Sequence, residues 1–177
     1  MSKFISKYIQ DFQNLVSSSN EYTDQIEKII SSIDHVSKKG KKCIIVGNGG
    51  SAAIASHFSV DLTKNAKRKC INFNESDLIT CFSNDYGYEN WVAKAIEYYG
   101  EKGDLLISIS SSGSSKNILN GCHKAKSMNF YKTITFSGMD VDNPLKSLGD
   151  INIWINSKSY NLIENMHQFI LLCVVDS

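Results

Sequence analysis

Short apolar runs that alternate with helical patterns are the feature that most constrains the fold of this chain. Four clear runs lie at 43–46, 105–109, 133–136 and 151–155, and a weaker one lies at 70–73. Each is strand-sized and is followed by a turn and then by a helical stretch. Such alternation is typical of a parallel sheet with helices on both faces. We therefore predict a three-layer α/β fold with a five-stranded parallel sheet.

The N-terminal part of the chain has a different pattern, that of two amphipathic helices. Apolar residues recur at helical spacing over 4–16 and over 22–36, and Ser17–Asn20 separates the two stretches. Two such helices cannot bury all of their apolar surface by themselves. We expect them to pack on the main domain or on a second subunit, and so to support a homo-oligomer.

Length and charge fit one domain that binds a small molecule. A chain of 177 residues is long enough for one core and short for two. We predict a single domain at 1–177, with the helical pair at 1–40 and the α/β core at 41–177. The formal net charge of +1 gives no reason to expect a nucleic-acid-binding face. The lysine clusters are interpreted as solvated helix ends.

The N-terminus and the cysteines favour a cytoplasmic protein without a membrane partner. The first residues contain no apolar signal core, and no run approaches the length of a membrane span. The five cysteines are odd in number and contain no CxxC pair, so they do not indicate a structural zinc site. Most lie in apolar runs, where a free thiol behaves as a small core residue in a reducing compartment.

A glycine-rich turn follows the first strand. It reads Gly47-Asn48-Gly49-Gly50-Ser51, and a helix is predicted from Ser51 to about Ala66. Glycines let the backbone turn sharply and bring N–H groups against a ligand. We expect Ser51 to cap the helix, whose N-terminus has unpaired donors and attracts anions. A tight turn without a ligand is the alternative for this segment taken alone.

A serine-rich turn follows the strand at 105–109. It reads Ser110-Ser111-Ser112-Gly113-Ser114-Ser115 and leads into a helix predicted at 115–128. Its hydroxyls can surround phosphate oxygens at a helix N-terminus. A flexible linker is the alternative, but this segment is a short connection between a strand and a helix. Since the P-loop pattern and the GxGxxG pattern are both absent from the sequence, we predict one phosphate on a small molecule.

Three segments together resemble a known family. They are residues 46–53, residues 108–115 and the stretch Ser83-Asn84-Asp85-Tyr86-Gly87-Tyr88-Glu89. They resemble the sugar isomerase (SIS) fold and, more narrowly, its phosphoheptose isomerase branch, which converts sedoheptulose 7-phosphate to the aldose. The resemblance spans essentially the whole chain. It implies a homotetramer built partly by the N-terminal helices, and a small-molecule sugar phosphate as the ligand.

The resemblance also implies which residues hold the substrate. The phosphate-binding residues would be Ser51, Ser110, Ser111, Ser112 and Ser115. The other substrate contacts would be Asn48, Gly49 and Asp85.

The residues that carry the family's chemistry are altered in this chain. The family binds zinc through a His-x-x-x-Glu pair on the first motif's helix and through a Gln and a His on the last helix. Here the pair is His57 and Asp61, Glu164 stands at the Gln position, and Leu172 stands at the last His. The implied zinc ligands are therefore His57, Asp61 and Glu164. The implied acid/base residues are Asp61, Glu164 and His167.

These changes leave two functions open. Leu172 can neither transfer a proton nor bind a metal, and the shorter Asp61 withdraws its carboxylate by about 1.5 Å. We therefore expect heptose isomerisation to be absent or very weak in a protein that still binds the sugar phosphate. One reading is a phosphoheptose isomerase-like enzyme. The alternative is a non-catalytic SIS protein, as in a neighbouring branch that regulates the bacterial replication initiator.

Two alternatives to the metal site also stay open. His57 can be an ordinary hydrogen-bonded histidine at a subunit contact. His167, which Gln168 follows, can belong to an ordinary polar helix face.

Overall fold

One parallel sheet forms the centre of the computed structural model, which describes residues 2–177. Its strands are β1 (Cys43–Val46), β2 (Cys70–Ile71), β3 (Leu105–Ile109), β4 (Lys132–Ser137) and β5 (Ile151–Trp154). Their order across the sheet is β2-β1-β3-β4-β5, and all neighbours are parallel. The predicted five-stranded parallel sheet is confirmed.

Helices cover both faces of this sheet. They are α1 (Lys3–Ser18), α2 (Thr23–Lys38), α3 (Gly50–Lys64), α4 (Ser76–Tyr86), α5 (Trp91–Tyr99), α6 (Lys116–Ser127) and α7 (Tyr160–Asp176). Helices α1, α2, α3 and α7 pack on one face, and α4, α5 and α6 pack on the other. Successive strand residues point to opposite faces, so every residue of β1 is buried. Among residues 2–177, none of the helices is both long and apolar enough to cross a membrane.

The order of the strands creates a switch point between β1 and β3. After β1 the chain adds β2 on one side, and it then crosses over to place β3 on the other side of β1. In open sheets of this kind, ligands bind beyond the carboxyl ends of the strands at the switch point. The glycine-rich turn begins at Gly47, directly after β1, and the serine-rich turn begins at Ser110, directly after β3. The topology therefore brings the two turns together.

The two N-terminal helices differ in burial. Helix α2 buries Ile29, Ile33 and Val36 in the core. Helix α1 has no buried residue, and Phe4 near its start is 75% exposed. The face of α1 that carries Phe4, Ile5 and Ile9 is therefore largely exposed in the single chain.

Candidate functional site

A small cavity of about 150 Å³ lies where β1 and β3 end. We call it the phosphate cavity, and it is lined by Asn48, Ser51, Ile109, Ser110, Ser111, Ser112, Ser115, Tyr160 and Glu164. The structure thus brings together all five serines that were predicted to bind phosphate, with Asn48 beside them. Gly49 and Asp85, predicted as substrate contacts, are not among the lining residues.

The glycine-rich turn enters α3 without a side-chain cap. Gly49 is the N-cap residue, and its φ of 54° is one that L side chains rarely adopt. No side chain caps the helix. The prediction that Ser51 caps it is wrong, because the helix begins one residue earlier, at Gly50. Ser51 is instead a buried residue of the first turn of α3 that lines the phosphate cavity.

The serine-rich turn is held by backbone hydrogen bonds to neighbouring segments. The amide of Gly138 donates to the Ser111 carbonyl at 3.0 Å, and the amide of Leu145 donates to the Gly113 carbonyl at 2.9 Å. Within the turn, Ser110 Oγ donates to Ser115 Oγ at 3.1 Å. The turn is therefore fixed before any ligand arrives.

Several donors of the serine-rich turn have no partner. Within residues 2–177, the backbone amides of Ser111, Ser112 and Ser115 donate no hydrogen bond. The side-chain Oγ of Ser111 is also buried without a partner, although buried polar atoms in proteins are usually hydrogen-bonded. Free amides at a helix start and an unsatisfied hydroxyl in the same cavity form a site for an oxyanion.

Glu164 is the one charged side chain that lines the phosphate cavity as the structure describes it. Its carboxylate lies so close to the first turn of α3 that a Cβ added at Gly50 would overlap Glu164 Oε2. Gly50 is thus needed for this close approach. Burial raises the pKa of the Glu164 carboxyl above its usual value, because desolvation disfavours the charged carboxylate.

Glu164 also borders a second, larger cavity of about 400 Å³, which we call the neighbouring cavity. Its other lining residues are Tyr8, Gly50, Ala53, Ile54, Asn161, Asn165 and Gln168. The carboxylate of Glu164 therefore stands between a phosphate-sized site and a roomier polar space.

His57 and Asp61 form a pair on α3. Their Nε2 and Oδ2 atoms are 3.1 Å apart, and Gln168 Nε2 lies 3.4 Å from His57 Nδ1. No group of three or more His, Cys, Asp and Glu side chains that could hold a metal ion occurs among residues 2–177. The residues of this chain therefore do not fit a zinc centre made of His57, Asp61 and Glu164. Zinc binding stays a prediction.

His167 lies in the core. It is fully buried, its Nε2 lies 3.1 Å from the Ser137 carbonyl oxygen, and its ring meets the Phe136 ring edge-on. Burial lowers the pKa of His167 to about 4. Because it lines neither cavity, its position does not match the predicted acid/base role, and it links α7 to the end of β4 instead.

Asp85 lies on the exposed surface of α4, where its Oδ1 accepts a hydrogen bond from Asn84 Nδ2 at 3.0 Å. The residue of that segment that reaches the site is Tyr88, whose hydroxyl donates to Asn48 Oδ1 at 3.2 Å. The segment singled out in the sequence is thus part of the site, but through a different residue from the predicted one.

Two further residues at the site were missed from the sequence. Tyr160 begins α7 and lines the phosphate cavity, and nothing in its local pattern indicates this. Gln168 reaches His57 and follows Glu164 by four residues, so helical spacing places both on one face. That spacing is a signal that could have identified Gln168.

Comparison with known proteins agrees with these features. The family model of the SIS domain matches residues 7–138. The phosphoheptose isomerase of Fusobacterium nucleatum is 32% identical over 179 residues, which cover 97% of this chain and 91% of that protein. The phosphoheptose isomerase of Helicobacter pylori is 39% identical over 141 residues, which cover 76% of this chain and 72% of that protein.

Solved structures give the same result. A phosphoheptose isomerase from Francisella tularensis has a TM-score of 0.91 at 26% identity, covering 99% of this chain and 97% of that one. The Neisseria gonorrhoeae protein of the same name has a TM-score of 0.90 at 21% identity, covering 98% and 96%, and supports the fold. The resemblance predicted from the three sequence segments is confirmed.

Proposed function

The chain belongs to the SIS domain family, in its phosphoheptose isomerase branch, and we propose that it interconverts the ketose and aldose forms of sedoheptulose 7-phosphate. The phosphate group occupies the phosphate cavity. The observation that carries the sugar-phosphate part of this assignment is the buried Ser111 hydroxyl without a partner, beside the free amides of the serine-rich turn. A buried donor left unsatisfied costs about 1–3 kcal/mol, and a phosphate oxygen would satisfy it.

Glu164 is the group we propose for proton transfer. Isomerisation removes a proton from C1 of the ketose, and the electrons of that bond form the C1–C2 double bond of an enediol while the C2 oxygen gains a proton. The O1 proton then leaves, C1 becomes the carbonyl carbon, and C2 takes a proton. With the phosphate in its cavity and the sugar chain in the neighbouring cavity, the substrate would pass the carboxylate that borders both. One carboxylate can remove the C1 proton and then deliver a proton to C2, either the same proton or one exchanged with the solvent at the enediol stage, provided that a proton also moves between the two oxygens.

A non-catalytic, sugar-phosphate-binding protein is the second candidate. It is favoured by Leu172 in place of the family's last histidine and by the position of His167 in the core. Both candidates use the same phosphate cavity. They differ in whether Glu164 alone is enough for turnover.

The test is incubation of the unmodified protein with sedoheptulose 7-phosphate in deuterated water, with zinc analysis of the same sample. We expect slow formation of the aldose, because Glu164 is the one predicted acid/base residue that lines the phosphate cavity. Deuterium at C2 would show that the proton carried by Glu164 exchanges with the solvent before it reaches C2. Binding without any product would favour the non-catalytic candidate. Absence of binding would contradict the proposed function in both forms.

We also propose that the protein is a homotetramer that uses the exposed face of α1. Phe4, Ile5 and Ile9 form an apolar surface there, and closed symmetric assemblies commonly bury such surfaces. Sedimentation should give a tetramer at micromolar concentration, and Phe4→Ser combined with Ile9→Ser should give smaller species. A stable monomer of the unmodified protein would contradict this proposal.

A cytoplasmic location is part of the same proposal. All five cysteines are unpaired, and a reducing compartment keeps thiols in that state. The near-neutral formal charge of +1 supports a small-molecule ligand and not a nucleic acid.

A further inference from the structure

A reciprocal pair of amide side chains joins the two phosphate-binding turns. Asn48 Nδ2 donates to Asn117 Oδ1 at 2.9 Å, and Asn117 Nδ2 donates to Asn48 Oδ1 at 2.8 Å. Asn48 belongs to the glycine-rich turn, and Asn117 is the second residue of α6, directly after the serine-rich turn. Because each side chain both donates and accepts, neither amide can rotate alone without losing both hydrogen bonds.

A third residue fixes the same atom. The hydroxyl of Tyr88 donates to Asn48 Oδ1 at 3.2 Å. An amide oxygen accepts through two lone pairs, so the Asn48 oxygen is fully used by Asn117 and Tyr88. The amide nitrogen of Asn48 has two N–H groups, and Asn117 accepts from one of them. The other has no partner among residues 2–177.

We propose that Asn117 and Tyr88 are positioning residues that orient the Asn48 amide toward the sugar phosphate. They engage its oxygen, which would repel a phosphate, and leave one N–H in the lining of the phosphate cavity as a donor. Asn117 acts from the core, since it is 2% exposed, whereas Tyr88 is 56% exposed and lies just beyond α4. This inference rests on the proposed function, because it assigns a role in binding the same ligand.

Tyr88 provides the cleanest variant, because its side chain lies at the surface. Tyr88→Phe removes only the hydroxyl that reaches Asn48. Tyr98→Phe is a matched control, since Tyr98 is 61% exposed and its hydroxyl lies 3.4 Å from that of Tyr86, outside the cavity lining. Asn117→Ala removes both hydrogen bonds of the reciprocal pair.

The experiment is calorimetric titration with sedoheptulose 7-phosphate, and separately with inorganic phosphate. The unmodified chain is compared with four single variants, which are Tyr88→Phe, Asn117→Ala, Asn48→Ala and Tyr98→Phe. Two double variants combine Asn48→Ala with Tyr88→Phe and with Asn117→Ala. We expect Tyr88→Phe to weaken binding about 3- to 10-fold with an unchanged melting temperature. Asn117→Ala should weaken it more. In the Asn48→Ala background, neither change should weaken binding further, because both act through Asn48.

Each outcome distinguishes the inference from the function on which it rests. If the unmodified protein binds neither ligand, the proposed function and this inference both fail. If the unmodified protein binds but Tyr88→Phe has the same affinity as Tyr98→Phe, this inference alone fails. It also fails alone if Tyr88→Phe or Asn117→Ala weakens binding further in the Asn48→Ala background. Should Asn117→Ala not fold, the inference is tested by the loss of affinity that Tyr88→Phe causes in the unmodified chain and in the Asn48→Ala chain.

Discussion

Replacement of Glu164 by glutamine is expected to lower the rate of sedoheptulose 7-phosphate isomerisation by about 10²- to 10⁴-fold, while the sugar phosphate still binds. Glutamine keeps the shape of the side chain but cannot accept a proton. The change also removes a negative charge from the lining of the phosphate cavity, so binding should be unchanged or tighter. Steady-state kinetics and calorimetry on the same preparation measure the two effects separately.

The pH dependence should identify the same group. A carboxylate that removes a proton must be ionised, so the rate should fall as the pH is lowered through the pKa of Glu164. Burial raises that pKa, and a bound phosphate dianion would raise it further through repulsion. The acid limb of the rate profile should therefore lie above the pH range of an ordinary glutamate. It should be absent from any residual activity of Glu164→Gln.

Glu75→Gln is the matched control for this substitution. Glu75 is an exposed carboxylate just before α4 and lines neither cavity, so its loss should leave the rate and the pH profile unchanged. If Glu164→Gln keeps the full rate, proton transfer belongs to another group, and Asp61 is the remaining predicted candidate.

The positions of Glu164 and His167 show where sequence reasoning about this site reaches its limit. The two residues are three apart on α7, so they differ by only about 60° around the helix axis. The structure places Glu164 at the cavities and His167 in the core. The spacing predicts two neighbouring side chains, but the packing of α7 on the sheet decides which of them lines the cavities.

The strand-to-helix turns were predictable because their information is local. Each turn lies between an apolar run, which predicts a strand, and a helical pattern, and it is marked by a change to glycine or serine. This order predicts the strand, the turn and the helix, and it places both turns at the carboxyl end of the sheet. Asp85 and Tyr88 are different, because only the path of the connection after α4 brings the tyrosine hydroxyl to Asn48. That path depends on tertiary packing, which no short motif encodes.

Which residues could serve as ligands in the predicted zinc site depends on how α3 and α7 lie side by side. Glu164 lies against Gly50, and Gln168 lies against His57, so the two helices run in the same direction. Leu172 follows Gln168 by one turn, as Asp61 follows His57. Leu172 cannot bind a metal ion, so it adds no ligand to His57 and Asp61.

Removal of the Ser111 hydroxyl is expected to have opposite effects on the free protein and on its complex. In the free protein the hydroxyl is buried without a partner, so Ser111→Ala should leave the melting temperature unchanged or raise it slightly, since a buried unsatisfied group destabilises the fold. In the proposed complex the hydroxyl would donate to a phosphate oxygen. A hydrogen bond to a charged group contributes about 1.5–3 kcal/mol, so affinity should fall roughly 10- to 100-fold.

Ser114→Ala is the control that separates this role from a general effect on the turn. The Ser114 side chain is exposed, lies outside the cavity lining, and donates only to the Ser112 carbonyl at 3.3 Å. It should therefore leave sugar-phosphate affinity unchanged. Thermal unfolding with and without sedoheptulose 7-phosphate measures the stability of the free protein and its affinity for the sugar phosphate in one series. If Ser111→Ala lowered the stability of the free protein and left the affinity intact, the hydroxyl would be a structural donor, and the phosphate would have to bind elsewhere.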